Sequence, residues 1–221
     1  MKLFISALTK TVFGILLIGA MLFLPAGGFD YPHGWLFLAL LFIPMIPMGI
    51  VMLIKAPELL KRRIDAKEKL GGQKSIIALS GLVFLSTFII SALDFRFGWS
   101  SVPLWLVITA SALFLIGYGG YMEVMRENEY LARTIKVEDG QRVIDTGLYG
   151  IVRHPMYLAT LLMFLPIPLI LGSLFGIIPI LLYIPLIVAR IIGEEKLLVK
   201  ELAGYDEYRK KVKYRLIPFI W

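Results

Sequence analysis

Three ionisable residues near the C-terminal end of the chain are candidates for chemistry. Arg190 interrupts a long apolar run, and Glu194 and Glu195 follow that run directly. Arg190 and Glu194 are four positions apart, so they share one face of a helix. Ionisable side chains at such depth usually pair with one another or line a cavity. The pattern predicts a polar site, although an Arg190–Glu194 ion pair that only marks the membrane boundary fits the residues equally well.

A second candidate cluster lies earlier, between Asp145 and Tyr157. Pro155 favours the first turn of a helix, which places His154 at or near the helix N-cap. The unpaired N–H groups of a helix N-terminus attract anionic groups. Tyr149 and Tyr157 are expected to face the same spot, because Tyr157 lies less than one turn into the helix. This cluster predicts hydrogen-bond donors and aromatic rings around a negatively charged group.

Long apolar runs predict the helices that position both clusters. The sequence is 58% hydrophobic and 18% charged, whereas soluble domains are about one quarter charged. Four runs are each long enough for a membrane-spanning helix, namely 11–29, 31–54, 75–93 and 97–122. A fifth run, 155–189, is too long for one span and slightly short for two. The turn signal at Gly172 and Ser173 divides it into a hairpin over 155–171 and 174–192.

The predicted fold is therefore all-α, a polytopic membrane protein with about six transmembrane helices, plus cytoplasmic loop and C-terminal helices. Of the 23 Lys and Arg residues, 21 lie on one side of this bundle. Because basic loops stay in the cytoplasm, we expect both termini to be cytoplasmic and the chain to be a multi-pass protein of the inner membrane. On the opposite side, Asp94 and Arg96 are expected to pair across a short connection.

Composition also excludes several kinds of site. The chain has no cysteine, which excludes thiolate nucleophiles and cysteine-ligated zinc. Its only histidines are His33 and His154, which argues against a multi-histidine site, so no metal is expected. The net charge of +7 is attributed to the basic loops of a membrane protein, and no nucleic acid partner is expected.

The hairpin returns the chain to the side from which it started, so both clusters should lie at the same membrane depth. A zwitterionic amino-acid group needs donors for its carboxylate and acceptors for its ammonium group. S-adenosylmethionine carries that group and a sulfonium ion, which carboxylates and aromatic faces stabilise. The two clusters together are compatible with this cofactor.

Three segments carry a resemblance to a known family: VIDTGLYGIVRHPMY (143–157), RIIGEEKLL (190–198) and GYDEYRKKVKYRLIPFIW (204–221). Their order and spacing resemble the isoprenylcysteine carboxyl methyltransferase family and the related phospholipid methyltransferases. The resemblance implies a membrane-embedded S-adenosylmethionine site without the glycine-rich loop of a dinucleotide-binding fold.

The resemblance also implies roles for individual residues. Cofactor contacts are expected at Gln141, Arg142, Val143, Ile144, Tyr149, His154, Pro155, Met156, Tyr157 and Glu194. Glu195 is expected to support the cofactor amine. Arg190 and Glu194 are the predicted catalytic residues, with Arg190 facing the carboxylate of the acceptor.

We therefore expect a methyltransferase that acts on a lipophilic or prenylated acceptor, most simply by O-methylation of a carboxylate, with membrane lipids as its surroundings. If the acceptor were an amine, Glu194 or Glu195 would remove its proton. Three alternatives stay open: a phospholipid N-methyltransferase, an NADPH-dependent sterol-type reductase, and a transporter or non-catalytic membrane protein. Residues 1–122 are expected to form an N-terminal four-helix region, and 123–221 the catalytic region.

Overall fold

The computed structural model describes residues 2–64, 71–131, 134–135, 137 and 140–221. These described residues form α-helices and a single 3-10 turn and include no strand, which confirms the all-α prediction. The four long apolar runs form the long helices α1 (Lys2–Ala26), α2 (Pro32–Lys55), α4 (Gly71–Phe97) and α5 (Leu104–Glu127). A short helix, α3 (Pro57–Ile64), follows α2.

Five segments of the described chain are long and apolar enough to cross a membrane: Lys2–Ala26, Pro32–Lys55, Gly72–Phe97, Leu104–Glu127 and Ile177–Glu201. The apolar segment Pro155–Ile170 is shorter. Large apolar side chains such as Leu16, Ile43 and Trp105 are exposed on the outside of the bundle, as contact with lipid requires. The molecule is thus a polytopic membrane protein with about six passes.

The predicted hairpin is present, and prolines divide each of its arms. Its first arm comprises α6 (Pro155–Phe164) and α7 (Ile167–Ile170), and its second comprises α8 (Ile177–Leu181) and α9 (Tyr183–Glu201). The first arm is interrupted at Pro166 and Pro168, between α6 and α7, because proline has no N–H group to donate to the helical hydrogen bonds. The second arm continues past the predicted end at residue 192, since the charged residues that follow are good helix formers.

The turn of the hairpin is fixed at the end of the bundle where α4 ends. The carboxylate of Asp94 is fully buried and accepts hydrogen bonds from Ser100 N at 2.7 Å, Ser100 Oγ at 2.6 Å and Ser173 Oγ at 2.5 Å. The expected pairing of Asp94 with Arg96 is wrong. Both residues lie within α4, and residues two apart on a helix do not face each other. The Arg96 guanidinium instead lies 5.5 Å from the centre of the Phe97 ring.

The opposite end of the bundle carries the basic connections and is called the basic end below. Helix α6 starts there and packs against α5 at Gly117. A Cβ atom at Gly117 would lie 2.8 Å from both the Ala159 carbonyl oxygen and the Met163 nitrogen, so the two backbones meet where only glycine fits. This close contact fixes the start of α6 relative to α5. The division at residue 122 stays a prediction, and α5 continues across it to Glu127.

Candidate functional site

A cavity at the basic end brings together most of the residues that the sequence singles out. It lies between the start of α6, the last turns of α9, the segment 141–144 and the C-terminal tail. Ten of the twelve predicted site residues line it: Gln141, Arg142, Val143, Ile144, Tyr149, His154, Met156, Tyr157, Arg190 and Glu194. Pro155 and Glu195 are not among the lining residues.

The hydroxyl group of Tyr157 joins the two predicted clusters. It donates a hydrogen bond to Glu194 Oε2 at 2.5 Å and accepts one from Arg190 Nε at 3.2 Å. Arg190 also donates to Gln73 Oε1, on α4, at 3.2 Å. A Cβ atom at Gly193 would lie 2.2 Å from Gln73 Nε2, so the lack of a side chain at Gly193 makes room for this contact. Both charged groups therefore face one cavity, with a tyrosine hydroxyl between them.

Helix geometry explains why Arg190 and Glu194 point the same way. Arg190, Glu194 and Leu198 are spaced four apart on α9, and all three line the cavity. Pro155 is the first residue of α6 and His154 is its N-cap, as predicted. The His154 side chain makes no capping hydrogen bond. Within the first turn of α6, the N–H groups of Tyr157 and Leu158 donate to the His154 carbonyl oxygen, which leaves the Met156 N–H without a partner among the described residues.

Glu195 faces away from the cavity and organises the layer behind it. Its side chain is 6% exposed. Its Oε1 accepts from Arg153 Nε at 2.7 Å and lies 3.3 Å from His154 Nε2, while its Oε2 accepts from Arg215 Nε at 2.7 Å. Glu195 therefore does not line this cavity, and the support that it was expected to give to a cofactor amine stays a prediction.

Arg153 also anchors the C-terminal tail beside the cavity. One of its terminal nitrogens donates to the carbonyl oxygens of Val212 and Lys213, both at 2.8 Å. The backbone N–H groups of Arg153 and His154 donate to the carbonyls of Tyr214 and Arg215. This buried guanidinium group bonds a carboxylate and two carbonyl oxygens, so it holds the tail against α9. We therefore assign Arg153 to positioning the tail.

Three tyrosines complete the lining. Tyr205 and Tyr208 lie on α10 (Tyr205–Lys211), three positions apart, and Tyr149 lies in the 3-10 turn Gly147–Gly150. The Tyr208 hydroxyl donates to the Tyr149 carbonyl oxygen at 2.8 Å. The Tyr149 hydroxyl accepts from Asn128 Nδ2, also at 2.8 Å. These bonds attach the tail and the segment after α5 to the same side of the cavity.

Tyr205 differs from the other two. It is only 3% exposed, yet its hydroxyl has no hydrogen-bond partner among the described residues. Burial, and then the carboxylates of Glu195 and Glu194, hold the pKa of Tyr205 well above its usual value. The phenol is therefore neutral at physiological pH and retains its proton. A buried hydroxyl without a partner costs stability unless something else supplies the bond.

Sequence reasoning missed Arg153, Tyr205 and Tyr208 as site residues. Arg153 stands directly before His154 and could have been included on that ground. The two tyrosines lie in the charged stretch YDEYRKK, where only their spacing of three gives a signal, because it puts two aromatic rings on one face of a short helix.

Two comparisons with known proteins bear on this site. Residues 105–203 match the family model described as phospholipid methyltransferase. Over 91 residues the chain is 35% identical to the Delta(14)-sterol reductase of Mus musculus; this alignment covers 40% of the chain and only 22% of the reductase. The family match runs from α5 to the end of α9 and includes all twelve predicted site residues. The resemblance predicted from the sequence is thus confirmed over residues 105–203, which match the phospholipid methyltransferase family model.

Proposed function

We propose that this protein is a membrane-embedded, S-adenosylmethionine-dependent methyltransferase that acts on a lipophilic acceptor. The observation that carries the proposal is the composition of the cavity, which is lined by the Glu194 carboxylate together with Tyr149, Tyr157 and Tyr205. A carboxylate surrounded by aromatic faces is a donor set for a cation, because both attract positive charge. The family match supports methyl transfer as the reaction.

The residues present fit S-adenosylmethionine. Glu194 would hold its positive charge, and the Met156 N–H at the start of α6 would donate to its carboxylate. The Tyr205 hydroxyl, which has no partner in the part of the chain that the structure describes, offers one more hydrogen bond. Leu131, Leu198 and other apolar lining residues would contact its adenine ring. When bound, the cofactor supplies a methyl group whose bond to sulfur breaks as the bond to the acceptor forms.

The chain's own residues would bind and align the two reactants. Arg190 would hold the acceptor, since a guanidinium group binds a carboxylate with two parallel hydrogen bonds. The Tyr157 hydroxyl touches both Arg190 and Glu194, and so fixes the acceptor side of the cavity relative to the cofactor side. Alignment in a site shielded from water is the main requirement of such a displacement.

The acceptor we favour is a carboxylate of the isoprenylcysteine type, because its methylation requires no base and Arg190 is placed to hold it. For an amine acceptor, Glu194 would take the proton that the amine loses. The two products are distinguishable, since alkaline hydrolysis releases labelled methanol from a methyl ester but leaves an N-methyl group in place. An alkali-stable label in the lipid fraction would refute the carboxylate proposal.

The proposed membrane is the inner membrane, with both termini and the cavity on the cytoplasmic side. The support is the concentration of basic residues in the connections at the basic end. We also propose that residues 1–122 mainly provide the membrane scaffold and that 123–221 provide the cofactor site. The water-soluble cofactor would then enter from the cytoplasm, while the acceptor would enter from the bilayer.

The activity is tested by transfer of a tritiated methyl group from S-adenosylmethionine to lipid-soluble products in membranes that contain this protein. Loss of a hydrogen bond to a charged group costs about 1.5–3 kcal/mol. Glu194→Gln should therefore lower transfer by roughly ten- to a hundredfold. Glu201→Gln is the matched control, because Glu201 is exposed at the end of the same helix. Equal methyl transfer by the wild type and Glu194→Gln would mean that Glu194 does not bind the cofactor or the acceptor.

A second candidate function is reduction with NADPH, which the 35% identity to a sterol reductase favours. NADPH is a polyanion and needs several cations around its phosphates. Arg153, one of the cavity's cations, is already engaged with Glu195 and with two carbonyls. Thermal unfolding with S-adenosylhomocysteine and with NADPH separates the two functions. Stabilisation by NADPH alone would reverse our preference.

A further inference from the structure

A second cavity lies on the other side of α9 from the first. It is lined by Ile192, Glu195, Lys196, Val199, Arg209 and Arg215. The four residues from α9 have spacings of three, one and three, so they form one continuous helix face. The first cavity uses Arg190, Glu194 and Leu198, which point in roughly the opposite direction at about 100° per residue. Helix α9 thus separates two cavities at the basic end.

The second cavity has a strong excess of positive charge. Lys196, Arg209 and Arg215 line it, and its one carboxylate, Glu195, is already bonded by Arg153 and Arg215. Arg209 pairs with Asp206 at 2.8 Å, but both side chains are more than 40% exposed. An exposed pair of this kind is worth little and leaves the guanidinium group available for a stronger anionic ligand.

Exposed apolar residues lie on the same two elements as these cations, α9 and the C-terminal tail. Ile192 and Val199 are exposed on α9, and Phe219 and Ile220 are exposed on the tail by 87% and 77%. Trp221 lies against Arg215, whose guanidinium carbon is 5.3 Å from the centre of the ring. Exposed aliphatic and aromatic residues next to basic residues are typical of the boundary between the bilayer core and its headgroups.

We propose that this second cavity binds the phosphate headgroup of an anionic phospholipid, whose acyl chains lie along Ile192, Val199 and the apolar tail residues. Charge complementarity selects the ligand, because the cations attract a lipid with a net negative charge. A phosphatidylcholine headgroup is disfavoured, because its positive choline group is repelled by the same cations. The proposal goes beyond methyl transfer and does not depend on it, since none of its cations belongs to the first cavity.

The test uses native mass spectrometry of the purified full chain in a neutral detergent. Dioleoylphosphatidylglycerol and dioleoylphosphatidylcholine are added at equal concentration, and the bound lipid is counted. A basic side chain near an anionic lipid contributes roughly a fivefold change in affinity. We expect phosphatidylglycerol adducts to dominate, and Lys196→Gln and Arg209→Gln each to reduce them about fivefold.

Lys210→Gln is the matched control, because Lys210 is exposed on the same short helix as Arg209 but does not line the cavity. Its adducts should equal those of the wild type. Equal binding of the two lipids, or equal losses in all three variants, would overturn the proposal. So would displacement of phosphatidylglycerol by an equal concentration of inorganic phosphate, since that would identify a free anion as the ligand. Binding of S-adenosylhomocysteine, measured on the same samples, reports separately on the first cavity.

Discussion

Two tyrosines on α10 allow a test that separates a structural role from a ligand-binding role. Loss of a structural hydroxyl should lower the melting temperature, whereas loss of a ligand-binding hydroxyl should weaken binding without lowering that temperature. Tyr205 and Tyr208 are both almost fully buried beside the first cavity. The Tyr208 hydroxyl donates to the Tyr149 carbonyl, whereas the Tyr205 hydroxyl has no partner in the described part of the chain. Replacing each by phenylalanine removes one oxygen atom and little else.

The expected magnitudes follow from these contacts. Tyr208→Phe leaves a buried carbonyl without its donor, which costs about 1–3 kcal/mol of unfolding free energy. For a chain of this size that corresponds to a fall in melting temperature of roughly 2–4 °C per kcal/mol. Tyr205→Phe removes a hydroxyl that no described residue satisfies, so its melting temperature should stay equal or rise. If the ligand supplies the missing bond, Tyr205→Phe should weaken binding by about three- to tenfold.

The assay is thermal unfolding in detergent with and without S-adenosylhomocysteine, together with calorimetric measurement of Kd. Wild type, Tyr205→Phe and Tyr208→Phe are compared at one pH, where both phenols are neutral because burial raises their pKa values. The reasoning is refuted if Tyr205→Phe lowers the ligand-free melting temperature as much as Tyr208→Phe does and leaves Kd unchanged. That outcome would mean that the Tyr205 hydroxyl has a structural partner.

Two further substitutions test how the site is held in place. Gly117→Ala should lower the melting temperature, because its Cβ atom would lie 2.8 Å from backbone atoms of α6. Gly119→Ala is the control and should not lower it, because no atom lies within 4 Å of the Cβ position there. Equal melting temperatures of the two variants would contradict the packing of α5 on α6. Glu195→Gln should cost about 3–5 kcal/mol of unfolding free energy, since it leaves the buried Arg153 without its anionic partner. Glu207→Gln is the control, because Glu207 is exposed on α10. If Glu195→Gln lost no more unfolding free energy than Glu207→Gln, the Glu195 network would not contribute to stability.

Sequence reasoning predicted well those parts of the molecule that depend on long apolar segments and on the turn between them. Uninterrupted apolar runs mark the membrane helices, and Gly172 with Ser173 marks the turn of the hairpin. That turn places Tyr157 and Glu194 at the same end of the bundle, where they form a hydrogen bond. The spacing of Arg190 and Glu194 likewise predicted their common face.

Sequence reasoning missed the contacts that do not require a particular residue type or that join residues far apart in the chain. Arg153 binds carbonyl oxygens of the tail, and any residue can supply a carbonyl. Asp94 meets Ser173 across 79 positions, which no local pattern predicts. Helix α9 outruns its apolar run because charged residues form helices as readily as apolar ones. The direction in which Glu195 points follows only once the exact end of α9 and the path of the tail are known.

The way in which the tail is attached has a consequence for protein engineering. Arg153 and His154 grip the tail through main-chain oxygens at 212–215, so the attachment tolerates changes in the side chains at Lys213 and Tyr214. Libraries that randomise these two positions, one exposed and one half-buried, can therefore alter the surface of the tail while it stays docked. Variation confined to such positions offers a route to a modified protein surface without loss of the fold.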